Sequence, residues 1–176
     1  MSDNNHSYTL DQIEELATKV RERFNIPSSN FVDVTELADS LGYDVYDAEF
    51  EVDDIVSTLC DEDDEGEKTI YVNQKLDESE KRFNIANQVA HVVLNHHASL
   101  QSNEYLVEYR PRYKGVSDTL QYGEKMQAIL LAAAILLPHD LVVSAWGKYK
   151  NVDIIAEYFK VPKKLAVVRL DALGLI

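Results

Sequence analysis

The segment that most constrains the fold is a predicted helix at 79–97, which is apolar around most of its circumference. Such a helix is expected to be buried on nearly every side. Its polar residues nevertheless fall on one face and recur at helical spacing: Asn84, Asn87, Gln88, His91 and Asn95. Because buried polar groups must be paired or hydrated, this stripe predicts that the helix faces a pocket or a polar partner.

Three residues of this stripe have the spacing of a metal-binding motif. Asn87, Gln88 and His91 stand where H-E-x-x-H would place two zinc ligands and a catalytic glutamate. Zinc chemistry needs two imidazoles one helical turn apart and a carboxylate that takes a proton from the bound water. Side-chain amides keep the approximate shape of those residues but lack the ligand nitrogen and the base. The sequence therefore predicts no catalytic residue and no metal at this motif.

The net charge of -14 restricts the kinds of partner that the chain can bind. Nucleic-acid-binding proteins gather cations on one face, so this charge argues against direct binding to DNA or RNA. It permits association with a basic protein surface. Solubility alone is the simpler explanation of the charge.

Cysteine content and hydropathy predict a cytoplasmic protein with no membrane segment. The single cysteine, Cys60, excludes an internal disulfide and any zinc site built on several cysteines. The polar N-terminus lacks the order of a signal peptide, and the longest apolar run, 128–138, is too short to cross a bilayer.

The pattern along the chain predicts one α+β domain over 1–176, with helices around a small antiparallel sheet. Its segments are a flexible tail at 1–8, N-terminal helices, sheet and motif helix at 9–97, a Tyr-rich insertion at 98–122, and helices at 123–176. Helix N-caps are predicted at Thr9, Asp33 and Asn151. Predicted strands cover 43–50, 55–60, 69–72 and a stretch that begins at Tyr105.

An acidic turn separates two of these strands. Six of the seven residues at 61–67 are Asp or Glu, which is typical of a solvated loop. A calcium site is a weaker alternative, because the turn lacks the alternating register and closing Glu of an EF-hand loop.

In order and spacing, the chain resembles the ImmA/IrrE metallopeptidases along nearly its whole length. The resemblance rests on T-E-L-A-D-S-L-G at 35–42, K-T-I-Y-V-N at 68–73, R-F-N-I-A-N-Q-V-A-H at 82–91, A-A-A-I-L-L-P at 132–138 and the closing segment 152–176. It implies a zincin-like helical core with a small sheet and C-terminal helices.

The resemblance also identifies what the motif has lost. The family's third zinc ligand, a glutamate on a second helix, falls on Gln127 when counted back from Pro138. Asn87, Gln88 and Gln127 thus stand at two ligand positions and at the position of the general base, and His91 alone keeps its family identity. These four are interpreted as vestigial positions of a pseudo-peptidase that binds no zinc and no other cofactor.

Natural drift is favoured over engineered inactivation as the origin of these changes. Ala90, Ile129 and Leu131 also depart from the family pattern, at positions that an inactivating design would leave alone. A replacement zinc site is less expected, because His96 and His97 follow His91 at spacings that do not meet on one helix face.

Three functions remain open. The resemblance implies a non-catalytic protein from a phage or mobile element that binds a basic helix-turn-helix repressor as an antirepressor, or in lysogeny, stress or toxin–antitoxin regulation. The first alternative is a zinc-dependent endopeptidase that cleaves such a repressor through a rebuilt site, with Glu108, Glu124 or Asp140 as candidate contributors. The second is nucleic-acid binding by the C-terminal segment with its cations Lys160, Lys163, Lys164 and Arg169. Packing of that segment on the core is the favoured interpretation.

Overall fold

The structure is a computed structural model that describes residues 8–27, 31–98, 100–102, 104–110 and 123–176. All of the predicted tail at 1–8 except Tyr8, and most of the predicted insertion at 98–122, lie outside the described residues. The described part contains seven helices and a four-stranded sheet, so the α+β fold class is confirmed.

Helices and strands occur in a mixed order along the chain. The helices are α1 (Leu10–Arg23), α2 (Val34–Ser40), α3 (Glu78–Val93), α4 (Glu124–Leu136), α5 (His139–Tyr149), α6 (Val152–Phe159) and α7 (Lys163–Ala172). The strands are β1 (Asp44–Ala48), β2 (Ile55–Cys60), β3 (Thr69–Asn73) and β4 (Tyr105–Tyr109).

The predicted helix starts are confirmed at atomic detail. Thr9 and Gln12 form a reciprocal capping box at the start of α1. Asp33 accepts two backbone N–H groups at the start of α2, and Asn151 does the same for α6. Short-range hydrogen bonds of this kind depend only on adjacent residues, which is why the sequence predicts them well.

The sheet has the strand order β1-β3-β2-β4. The antiparallel prediction holds for β2 with β3 and for β2 with β4, but β1 pairs with β3 in parallel. The sheet is therefore mixed. The two central strands are almost wholly buried, whereas β1 is largely exposed at one edge. Placing β3 inside, next to β2, covers its apolar residues and leaves the polar β1 outside.

The centre of the molecule is the contact between α3 and α4. The sheet and α2 cover α3, while α1 and α7 pack on α4. Ten consecutive residues of α4, from Gln127 to Leu136, are buried. Within the described ranges no single helix is long and apolar enough to span a bilayer; α4 and α5 meet that criterion only as a pair, bent by 73°.

The C-terminal helices pack on this core, as favoured from the sequence. Arg169 is 2% exposed and binds Glu14 of α1 with both terminal nitrogens, so it is not part of a cationic surface. Lys163 is paired with Asp153 at 2.8 Å. Direct nucleic-acid binding through this segment therefore loses Arg169, one of the four cations on which that alternative depended.

Candidate functional site

The polar stripe of α3 divides into groups with different surroundings. Asn84 donates to the carbonyl of Glu80 in its own helix, at 2.8 Å. Asn87, Gln88 and His91 are each at most 3% exposed and form the polar interior of the site. Asn95 lies beyond the end of the helix.

The predicted helix at 79–97 ends early, because Asn95 adopts a left-handed conformation with φ of 59°. The backbone N–H of Asn95 then bonds Val92 at 3.0 Å and that of His96 bonds His91 at 2.9 Å. This pair of bonds is the Schellman motif, which folds the residue after the cap back over the last helical turn.

The Schellman turn brings His96 onto His91, contrary to the prediction from their spacing. Their Nδ1 atoms lie 2.9 Å apart, and the two rings meet edge to face. The prediction assumed that both residues were on one continuous helix. Gly is the commonest residue at a left-handed helix end, and Asn also occurs there. Asn95 was therefore the sequence signal that could have predicted this turn.

Glu108 of β4 reaches the other side of the His91 ring. Its Oε1 lies 3.2 Å from His91 Nε2, and only 5% of the residue is exposed. Of the three acids proposed to contribute to a rebuilt site, Glu108 alone contacts His91. Glu124 is exposed, and Asp140 is fully exposed beside His139.

Gln127 and Gln88 have different partners. Gln127 of α4 hydrogen-bonds His96 and so joins the cluster. Gln88 donates to the hydroxyl of the buried Ser57 on β2, at 2.9 Å. The Oε1 of Gln88 and the Oδ1 of Asn87 have no hydrogen-bond partner among the described residues.

The contacts of His96 indicate its protonation state. Burial lowers the pKa of His96 to about 4, and the neighbouring His91 and His97 add to this shift. His96 is therefore neutral near pH 7. A neutral His96 carries one N–H and one lone pair, and its Nδ1 faces the Nδ1 of His91. One of the two rings therefore donates across this contact and the other accepts.

We predict that this buried neutral histidine makes the protein less stable in mild acid. As the pH falls from 6.5 toward 4, the unfolded chain protonates His96 while the folded chain does not. The free energy of unfolding therefore decreases through that window. Urea unfolding at a series of pH values should show a smaller decrease for His96→Asn than for the unaltered chain. Equal decreases would assign the effect to other groups.

The donor set does not fit the zinc ion that the resemblance implies. Two of the three family ligand positions carry neutral amides, and no group of three or more His, Cys, Asp or Glu in the described ranges could hold a metal. Ligand nitrogens on a tetrahedral zinc lie roughly 3.3 Å apart. The two Nδ1 atoms of His91 and His96 are closer than this and bond each other instead.

The acidic turn at 61–67 shows the internal bonding of a solvated loop. Asp63 accepts the backbone N–H groups of Glu65 and Glu67 within 2.9 Å. Asp61 accepts from Tyr43 and Lys68. The carboxylate of Asp63 thus bonds the turn itself, and that of Asp61 joins the turn to Tyr43.

Comparisons with known proteins identify the family. The model of a peptidase family, described as the IrrE N-terminal-like domain, matches residues 38–171. No curated protein matches significantly. A solved structure described as a Mycobacterium tuberculosis transcriptional regulator is similar, with a TM-score of 0.62 and 18% identity. The match covers 96% of this chain and 48% of that one, so this chain spans about half the length of that protein. Since the family model covers most of the sequence, the chain belongs to the IrrE N-terminal-like domain family.

Proposed function

We propose that this chain is a catalytically inactive member of its family that acts by binding a helix-turn-helix repressor. The observation that carries the proposal is the replacement of ligands and base by amides at Asn87, Gln88 and Gln127. An amide oxygen is a poor zinc ligand, and a neutral Gln cannot take a proton from water.

The surroundings of His91 support the same conclusion. A zinc-bound histidine presents one nitrogen to the metal and the other to a supporting acceptor. Here His96 and Glu108 are already in contact with the two nitrogens of the ring, at 2.9 and 3.2 Å. We infer that contacts among these polar side chains, rather than a metal ion, connect α3, α4 and β4.

The proposed partner follows from the family and from charge. The resemblance implies repressors as the proteins that such domains recognise, and the similar solved structure is described as a transcriptional regulator. A basic DNA-binding surface complements a chain with a net charge of -14. Covering that surface would release the repressor from its operator, as expected of an antirepressor from a phage or mobile element.

The test uses the full chain as bait in a lysate of its host, followed by competition with purified components. We expect capture of a helix-turn-helix regulator, and a gel shift in which added chain releases the intact regulator from its operator. Raising the salt concentration should weaken capture, because the association is electrostatic. Operator binding that is unaffected by the chain would contradict the proposal, and so would a cleaved regulator.

The convergence of His91, His96 and Glu108 favours one alternative, a zinc-dependent endopeptidase with a rebuilt site that cleaves a repressor. Two histidines and one glutamate are a ligand set found in zinc peptidases. The two Nδ1 atoms would have to separate and release their mutual contact. Stoichiometric zinc that is retained through dialysis and lost in His96→Asn would support this alternative.

A further inference from the structure

A second polar site lies at the other end of α3. A groove of about 670 Å³ runs between α2, the edge strand β1 and the first turns of α3. Its buried cation, Arg82, precedes His91 by nine residues, which is roughly 13 Å of axial rise. The groove lies at the β1 edge of the sheet, whereas Glu108 is on β4 at the opposite edge. The two sites are therefore separate.

Arg82 lies in this groove as a buried cation with unused donors. It is 8% exposed, and its Nη1 donates to the carbonyl of Val32. Its Nε and Nη2 have no acceptor among the described residues. Burial lowers the pKa of Arg82 to about 10, and nearby Asp33 opposes that shift only in part. The carboxylate of Asp33 is already used as the N-cap of α2.

A second cation lines the same groove and lies against the same aromatic ring. Lys160 ends α6 in a left-handed conformation, with its Nζ 5.1 Å from the centre of the Phe31 ring. The Arg82 guanidinium lies 4.7 Å from the centre of that ring. No carboxylate in the described part of the chain forms an ion pair with either cation. By contrast, Lys81 in the same groove is paired with Asp47 at 2.9 Å.

We propose that this groove binds a ligand through an oxyanion, either a carboxylate or a phosphate. The Arg82 fork supplies the two unused N–H donors and Lys160 supplies a second positive charge. Phe31 is 46% exposed and lies over the guanidinium, so the proposal requires its ring to move aside when the oxyanion enters. A buried cation without a counter-ion is costly, and an oxyanion at this position removes that cost. The volume is within the range of small-molecule sites.

The test follows the Arg82 Nε–H signal of the full chain by NMR during titration with inorganic phosphate, with acetate, and with chloride at matched ionic strength. We expect a saturable shift with phosphate or acetate, with a Kd on the order of millimolar, and none with chloride. A response to phosphate alone assigns a phosphorylated ligand, and a response to acetate alone assigns a carboxylate. Absence of a shift with both, or an equal shift with chloride, would overturn the proposal.

A matched pair of variants tests the contribution of Lys160. Lys160 and Lys150 both end a helix in the left-handed conformation, and both place Nζ near an aromatic ring, but only Lys160 lines the groove. Asn tolerates that backbone conformation. Lys160→Asn should raise the Kd about threefold or more, and Lys150→Asn should leave it unchanged. Equal effects of the two variants would contradict a role for Lys160 at a defined site.

Discussion

Restoring the three family side chains, with Asn87→His, Gln88→Glu and Gln127→Glu together, is expected to produce a protein that binds one zinc ion per chain. The unaltered chain is expected to retain only substoichiometric zinc after dialysis. Helix α3 already holds positions 87 and 91 one turn apart on its buried face, and α4 packs against it. The restored residues would supply the two missing ligands and the base, on a scaffold that keeps their positions.

The size of the expected gain in zinc binding follows from the affinity of zinc for sites with three protein ligands. Zinc held by three protein ligands contributes an apparent binding free energy on the order of 10 kcal/mol, which corresponds to a sub-micromolar Kd. The restored protein should also unfold at a higher temperature when zinc is added, because the ion binds only the folded state. Metal analysis after dialysis and thermal unfolding with and without zinc measure the two consequences.

The control moves the new histidine to another buried position of the same helix. Asn84→His, combined with the same two glutamates, changes the composition identically but lacks a histidine one turn from His91. Asn84 also points toward the carbonyl of Glu80 rather than into the site. This control should not retain zinc. Equal zinc in the control and in the restored protein, or stoichiometric zinc in the unaltered chain, would contradict the interpretation of 87, 88 and 127 as vestigial positions.

The sequence predicted best the features that depend on adjacent residues. The side chains of caps such as Thr9 and Asp33 accept from backbone N–H groups no more than three residues away. The local sequence therefore contains everything needed to predict these bonds. The parallel pairing of β1 with β3 depends instead on which strands the helices cover, and no local pattern records this. The apolar periodicity of the sequence likewise continues beyond the point where α3 ends, so the predicted helix was too long.

The candidate site was predicted only in part for the same reason. The resemblance placed Asn87, Gln88, His91 and Gln127, and these four are buried in the structure. The partners of His91 depended on two geometric facts that spacing along one helix does not contain. One is the reversal at Asn95, which returns His96, and the other is the pairing of β4 with β2, which places Glu108. The assignment of the four residues as vestigial stays a prediction.

Replacing Arg169 is expected to cause the largest loss of stability among single substitutions at charged residues of the described part. Its Nε donates to the carbonyl of Leu137 at 2.8 Å, and its two terminal nitrogens bind the carboxylate of Glu14. The residue thus joins α7, α1 and the end of α4 in one buried network. Arg169→Met keeps most of the apolar stem while removing every donor.

The expected loss for Arg169→Met is about 3 kcal/mol in the free energy of unfolding, at the lower end of values for breaking a buried ion pair. The lower value applies because a third of the Glu14 side chain is exposed, so water can solvate its carboxylate after the change. The carbonyl of Leu137 would lose a buried donor as well. Urea unfolding followed by circular dichroism measures the difference.

Helix α1 offers a matched control for this loss. Glu15, the neighbour of Glu14, pairs with Lys19 at 2.6 Å, but both side chains are 64% exposed. Lys19→Met should change the stability by less than about 0.5 kcal/mol, as expected for an exposed pair. Similar losses for Arg169→Met and Lys19→Met would mean that burial adds nothing to the Arg169 network.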